Sequence, residues 1–521
     1  MKNLSNRFIL FLYKCQFCFF LCFIGFVNVQ ASAQNFFNVK TFGAKGDSVT
    51  LDTDAINKTI DAVAKSGGGT VYFPAGTYLS YSIRLQSHIA LYLDQGATIL
   101  AATPTETVGY DAPEKAINDE FQDFGHSHWH NSVIWGENIE DISILGPGKI
   151  YGKGLSRSGP YKAPIGNKAI ALKLCRNVIL KDFTILYGGH FGILATGVDN
   201  LTIDNLKIDT NRDGIDVDCC KNVRISNCSV NSPWDDAICL KSSYALGFAR
   251  PTENVTITNC SVSGFDRGTF YNGTYLRNEA DLVPDKEGPT GRIKFGTESN
   301  GGFKNIAISN CIFEYCRGLA LETVDGGLLE DVTITNITMR DIINSPIFLR
   351  LGGRMRGPEG TIIGALRRVN ISNVNVYNAD SRFATLISGI PGHDIEDVRL
   401  SNISIWYKPL DSSITKIPNE VSEYEKAYPE PQKFGLIPAY GFYIRHAKNM
   451  ELSNINLHLL GKEKRPAVIV TDVEGMKLRN LTVAKGEHPN LILLNDVTDL
   501  SIKDCSSLKD AELKKIQTKH F

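Results

Sequence analysis

Three aspartates carry the residue types and spacing for acid–base chemistry. Asp213 stands in Asn211-Arg212-Asp213-Gly214-Ile215-Asp216, and the pair Asp235-Asp236 follows 22 and 23 residues later. Carboxylates crowded into one patch raise one another's pKa, so one group can hold a proton while another stays ionised. Hydrolysis of a glycosidic bond needs that division: an acid for the leaving oxygen and a base for water. A solvated acidic turn or a calcium site uses the same residue types, and spacing alone does not separate these readings. Cations follow downstream, at Arg292-Ile293-Lys294 and at Arg350, Arg354 and Arg356 in FLRLGGRMRG. A guanidinium can clasp a carboxylate bidentately, or simply pair with acidic neighbours in the fold.

The 22-residue step equals the distance from Leu201 to Val223, the first apolar residues of DNLTIDN and KNVRISN. That pattern recurs with anchors at Ile142, Val178, Leu201, Val223, Val255, Ile306, Val332, Val369, Val398, Met450, Met476 and Leu500. Alternation at period two reads as strand, and the closing Asn or Asp reads as turn. Helical periodicity is nearly absent here, and the L-x-x-L-x-L frame of leucine-rich repeats is missing. An all-β chain is predicted, a single-stranded right-handed parallel β-helix. Its shortest coils are 22 to 26 residues; longer separations fit an inserted loop or a degenerate second coil. One coil apart, Asp213 lies beside Asp235-Asp236, because neighbouring strands are about 4.8 Å apart. Ile215, Val217, Ile238 and Leu240 point inward.

Before the array, Asp52 or Thr53 can cap a helix with apolar Ile56, Ile60 and Val63, which covers the open first coil. The predicted organisation is a signal peptide over 1–33, one β-helix domain over 34–510 and a tail over 511–521. Lys2 and Arg7 precede an apolar run from Phe8 to Val29, broken by Lys14, and Ala31-Ser32-Ala33 supplies a cleavage site before Gln34. Export to the periplasm or beyond is expected, with no stable membrane insertion after cleavage; a retained anchor is the alternative. Net charge is −1 and no basic tract is dense enough for nucleic acid. Of 12 Cys, nine lie outside the leader. Cys228, Cys260 and Cys311 each follow Asn at one repeat position and read as stacked core residues. The one C-x-x-C, Cys15 to Cys18, sits in the leader, so no zinc site is expected. HSHWH at 126–130 reads as loop packing, or as a sugar-stacking element, before a metal site. The same holds for Tyr440 and Tyr443, as core residues or aromatic platforms. Insertions at 264–291 and 407–440 are too long for turns and can wall a cleft, which favours attack at chain ends.

With these motifs in view, the chain resembles glycoside hydrolase family 28, the polygalacturonase group of pectin-degrading enzymes, from about Val39 to about Leu457. FGAKGD, GGGTVYFPAGTY and GPGKIYGKG carry the resemblance, together with the aspartate stretch. Asn211-Arg212-Asp213-Gly214 resembles the family's N-T-D-G, with Arg212 in place of Thr, and Asp235-Asp236 resembles its D-D. The resemblance implies that Asp235 is the general acid, that Asp213 and Asp236 activate water, and that the anomeric configuration inverts. It implies an acidic poly- or oligosaccharide partner and no cofactor or metal; a monomer is expected.

Two departures concern the substrate. No His stands before Gly296-Thr297-Glu298, where the family has G-H-G, and its carboxylate-binding R-x-K falls on Ala320 and Glu322. Arg292 and Lys294, one coil early, can take over recognition of an anionic sugar or of a differently placed carboxylate, or form a solvated basic edge. Aligning Leu240, Phe295, Leu321 and Leu349 as inward residues puts Lys241, Gly296, Glu322 and Arg350 in one outward row. That register predicts ion pairs Asp218–Lys241 and Glu322–Arg350, and leaves Lys294 without a committed partner. Lys241, Arg292, Lys294, Glu322, Arg350 and Arg354 are the predicted substrate-binding set. Two other classes stay open: a calcium-dependent polysaccharide lyase using Lys241 or Lys294 as base, and a non-catalytic glycan-binding β-helix.

Overall fold

Period-two strands closed by Asn or Asp wind the chain into three parallel sheets that share one apolar core. The computed structural model describes residues 36–521 apart from 116–117, 124, 160–161, 280–281, 283–286 and 507; the leader read over 1–33 lies outside the described residues. The first sheet contains Phe191–Thr196, Asp213–Asp218, Ile238–Ser242 and Ile293–Ser299 in consecutive coils. The second contains Asp199–Asp204, Lys221–Ser226 and Thr252–Thr258, and the third Lys207–Asp209, Ser229–Asn231 and Ser261–Ser263.

Every repeat anchor from Ile142 to Leu500 pairs in register with the next. Each separation is therefore one coil, and the longer ones carry insertions at the corners. Ile215 pairs with Ile238 and Val217 with Leu240, all fully buried. Each such side chain contributes about 1.5–3 kcal/mol by leaving water. Cys228, Cys260 and Cys311 are buried free thiols in the stack.

The corner asparagines adopt the left-handed region, as Asn200, Asn222 and Asn254 do at φ 55, 59 and 58°. Asn tolerates that region better than most residues. Their amides form a ladder, Asn222 donating to Asn200 at 3.1 Å and Asn254 to Asn222 at 3.0 Å. The helix Thr53–Lys65 buries Ile56, Ile60 and Val63 over the first coils. Neither predicted residue caps it by side chain: Asp52 instead accepts from the Lys45 and Gly46 amides at 2.7 and 2.9 Å, and Thr53 accepts from the Tyr81 amide. At the other end, Ala511–His520 is no free tail. It forms a strand antiparallel to Ile492–Lys503 and covers the last coil. Among the described residues no helix is long and apolar enough to cross a membrane.

The 407–440 insertion packs over the outward face of the first sheet. Val421, Phe434 and Ile437 cover Ala320, Phe348 and Leu386. Its chain is held by two buried arginines of the sheet: Arg445 donates to the Val421 and Ser422 carbonyls at 2.6 and 2.8 Å, and Arg350 to those of Glu423 and Tyr424 at 2.8 and 3.2 Å.

Candidate active site

The three aspartates meet at a corner leading into the first sheet. Asp213 opens the strand Asp213–Asp218, and Asp235-Asp236 lie just before Ile238 on the next coil. Gly214 allows the coils to touch: a Cβ there would stand 2.4 Å from the Ala237 carbonyl oxygen and from Val230 Cγ1. The Gly214 amide donates to the Asp236 carbonyl at 3.0 Å, and Ser232 Oγ to that of Arg212 at 2.6 Å. These bonds fix the corner, and carboxylate oxygens of Asp213, Asp235 and Asp236 come within 4.8 Å of one another. Asp235 is the most open, its side chain 19% exposed against 5% for Asp213 and 3% for Asp236.

Four cations surround this patch. Arg212 Nε lies 3.5 Å from Asp213 and 3.4 Å from Asp235. Arg292 Nε donates to Asp236 at 2.8 Å, and Lys294 Nζ is 3.6 Å from the other Asp236 oxygen. Lys241 lies deeper, 3.8 Å from Asp216. Burial, followed by the charges of Asp235 and Asp216, pushes Asp213 well above the usual carboxylate range, against the pull of Lys241 and Arg212. Crowding of Asp213 against Asp235 favours one proton shared between the two, and the resemblance assigns its donation to Asp235.

Most of the predicted substrate-binding set is buried and engaged inside the protein. Lys241, Arg292, Lys294, Glu322 and Arg350 are at most 5% exposed. Lys294 is not without a partner: it lies 3.6 Å from Glu322, 3.6 Å from Asp236 and 3.9 Å from Glu430. Lys241 pairs with Glu298 at 3.2 Å rather than with Asp218, whose carboxylate accepts from Ser243. The cause is a register shift. Four positions separate Phe295 from Ser299, where their partners Leu240 and Ser242 are two apart. The extra residues swing Glu298 towards Lys241. Glu322 and Arg350 are register neighbours, as predicted, yet Arg350 reaches the other way, to Ser388 Oγ at 2.7 Å and the Gly389 carbonyl at 3.0 Å. Arg354 pairs with Asp325. Of the histidines, His126 contacts Asp216 at 3.3 Å, and Trp129 is buried with its indole donating to Thr196. That segment packs a loop.

Glu430 went unread in the sequence. It enters from the 407–440 insertion and accepts from Arg292 at 2.6 Å and Arg317 at 2.9 Å. No periodicity fixes a position inside an insertion. Tyr428, Glu430, Gln432 and Lys433 of the insertion line a cleft of about 480 Å³ together with Arg212, Asp235, Arg317 and Glu287. A divalent cation would have to displace the arginine and lysine contacts of the aspartates. The two other carboxylate–His groupings are likewise engaged: Lys173 pairs with Glu137 in Glu114–His130–Glu137, and Arg176 with Glu140 in His88–Glu140–Asp141.

Residues 36–126 match a family described as rhamnogalacturonase A/epimerase, pectate lyase-like, and residues 168–339 match the right-handed β-helix region. The chain is 23% identical over 424 residues to a probable polygalacturonase of Vitis vinifera, covering 74% of this chain and 76% of that protein. It is 37% identical over 177 residues to plasmin and fibronectin-binding protein A of Streptococcus pneumoniae, covering 32% of this chain and 23% of that one. A family 28 exopolygalacturonase of Yersinia enterocolitica superposes with a TM-score of 0.63 at 18% identity, over 85% of this chain and 78% of that structure. At that identity the likeness is one of fold.

Proposed function

We propose, for a chain that belongs with the polygalacturonase-like parallel β-helix proteins, the hydrolysis of glycosidic bonds in a pectic or related acidic polysaccharide outside the cytoplasm. The observation that carries this reading is the convergence of three carboxylates within 4.8 Å, with the most exposed of them, Asp235, lining an open cleft. Asp235 donates a proton to the glycosidic oxygen as the bond to the anomeric carbon breaks. Asp213 and Asp236 orient a water and take its proton as its oxygen attacks that carbon. The apolar run from Phe8 to Val29 followed by Ala31-Ser32-Ala33 supports export.

Action from a chain end is supported by the insertion wall. Glu430 and Tyr428 line the cleft, and Arg292, Arg317, Arg350 and Arg445 hold that segment at several points. The stereochemical course has two readings. The family resemblance implies inversion, and the alternative is a double displacement that retains the anomeric configuration. Proton NMR of the first-formed product separates them by its anomer.

A lyase is disfavoured on electrostatic grounds. Burial opposes their charge, yet the neighbouring acidic groups, Glu298 and Asp216 for Lys241 and Asp236 for Lys294, hold both well above the usual lysine range. Neither is available as a neutral base. Incubation with polygalacturonate is the test. New reducing ends without ultraviolet absorbance support hydrolysis, and chelator-sensitive absorbance from an unsaturated product supports the lyase. Binding without any product leaves a non-catalytic glycan-binding β-helix.

A further inference from the structure

The cleft that Asp235 lines also contains three side chains with no part in the acid–base step: Arg317, Gln432 and Lys433. Arg317 stands two coils on from Asp235 at the same corner. The Gly291 amide donates to the Asp235 carbonyl at 2.9 Å, and the Arg317 amide to that of Thr290 at 2.8 Å. Two strand spacings put the Arg317 backbone about 10 Å from that of Asp235. Gln432 and Lys433 belong to the short turn Pro431–Phe434 of the insertion, which Phe434 anchors by packing on Phe348.

Each of the three keeps a donor that the fold leaves unmet. The Arg317 side chain is 2% exposed and bonds Glu430 through Nη1 at 2.9 Å, while its buried Nε has no acceptor among the described residues. Gln432 accepts from Asn344 at 3.4 Å through Oε1, and its buried Nε2 has no acceptor among them either. Lys433 is exposed, and its ammonium makes no ion pair or hydrogen bond with the described residues. A buried donor without an acceptor is unfavourable, so an arriving acceptor gains more there than at a donor already bonded.

The carboxylates of the cleft, by contrast, are matched. Glu430 is held by Arg292 at 2.6 Å as well as by Arg317, Asp235 lies 3.4 Å from Arg212, and Glu287 pairs with Arg382 at 2.9 Å. What remains to be answered is a set of donors, one of them a full positive charge. A sugar hydroxyl can meet one donor but leaves the Lys433 charge unanswered. A carboxylate has two oxygens for several donors and carries the complementary charge.

We infer that Arg317, Gln432 and Lys433 bind the carboxylate of a uronic acid residue seated in the cleft beside Asp235. This inference rests on the hydrolase reading and deepens it. It moves carboxylate recognition off Arg292 and Lys294, which are at most 2% exposed and hold Asp236 and Glu430 inside the protein.

The test compares trigalacturonate with its fully methyl-esterified form on wild-type protein, Arg317→Lys and Lys433→Gln. Arg317→Lys keeps a cation beside Glu430 and loses Nε, and should raise KM for the free acid about tenfold. Lys433→Gln acts at an exposed position where the fold is not at risk, and should raise it about fivefold. KM for the ester should move far less in both. A free-acid KM within twofold of wild type in either variant overturns the assignment, and so does an equal rise for acid and ester. Wild-type protein that turns over neither compound contradicts the hydrolase reading itself. Calorimetric affinities for the same two compounds then replace KM, and the same differences decide the carboxylate site.

Discussion

Along the second sheet, Asn222 and Asn254 each bond the asparagine one coil back, the partner that the repeat assigns. On the outward face of the first sheet, Lys241 lies beside Asp218 in register and bonds Glu298; Glu322 lies beside Arg350 and faces Lys294. The coils and their spacing are the same in both regions. What differs is reach. A short amide held by a left-handed corner can touch only its counterpart about 4.8 Å away. A long lysine or arginine side chain can cross to the next coil but one or into an insertion. Its partner is then chosen by the charge balance of a buried cluster, which local register does not determine.

The largest effect that would test this contrast is expected at Arg292. Arg292→Ala removes from a buried site the cation that bonds both Asp236 and Glu430, leaving only the longer Lys294 contacts between them. Removing one partner of a buried charge pair costs about 3–5 kcal/mol. Urea unfolding should show that loss; a change below about 1 kcal/mol would mean that the cluster is solvated and the contrast with the corners is false.

Glu322 gives a test with a sign. Burial pushes its carboxyl up to about 8, against Lys294 and Arg292. A folded-state pKa above the unfolded value of about 4.3 means that the folded protein holds this proton more tightly. The stabilisation is full at low pH and is lost as pH rises through about 8. Glu322→Gln should therefore gain on wild type as pH climbs from about 5 to about 8.5, by an amount on the order of a few kcal/mol, and the two should converge at about pH 4. Parallel stability–pH curves would show that Glu322 is an ordinary ionised partner of Lys294.

The smallest effect belongs to the regular region. Asn222→Ala removes rungs to Asn200 and Asn254 at an exposed corner with φ 59°. It should cost about 1–2 kcal/mol by thermal unfolding. A cost as large as that of Arg292→Ala would erase the distinction between ladder and cluster.

The same difference in reach decided what the sequence disclosed. Inward positions repeat with the coil, so the anchors from Ile142 to Leu500 and the column Leu240, Phe295, Leu321, Leu349 are legible. The 22-residue step likewise places Asp213 beside Asp235-Asp236. Partners of the outward charges were not legible. The bulge between Phe295 and Ser299 brings Glu298 to Lys241, and Glu430 enters from an insertion without periodicity. The closing strand Ala511–His520 runs antiparallel and carries no repeat pattern to announce it.

The central claim is that Asp235 supplies a proton to a glycosidic oxygen from a cluster of three carboxylates. Its most direct test is the rate of reducing-end release from polygalacturonate by Asp235→Asn, beside wild type and with thermal unfolding of both. Asn keeps the shape and removes the titratable proton, so turnover should fall by about 10²–10⁴-fold with the unfolding temperature nearly unchanged. A correctly folded Asp235→Asn protein that releases reducing ends within a few-fold of wild type would contradict the account.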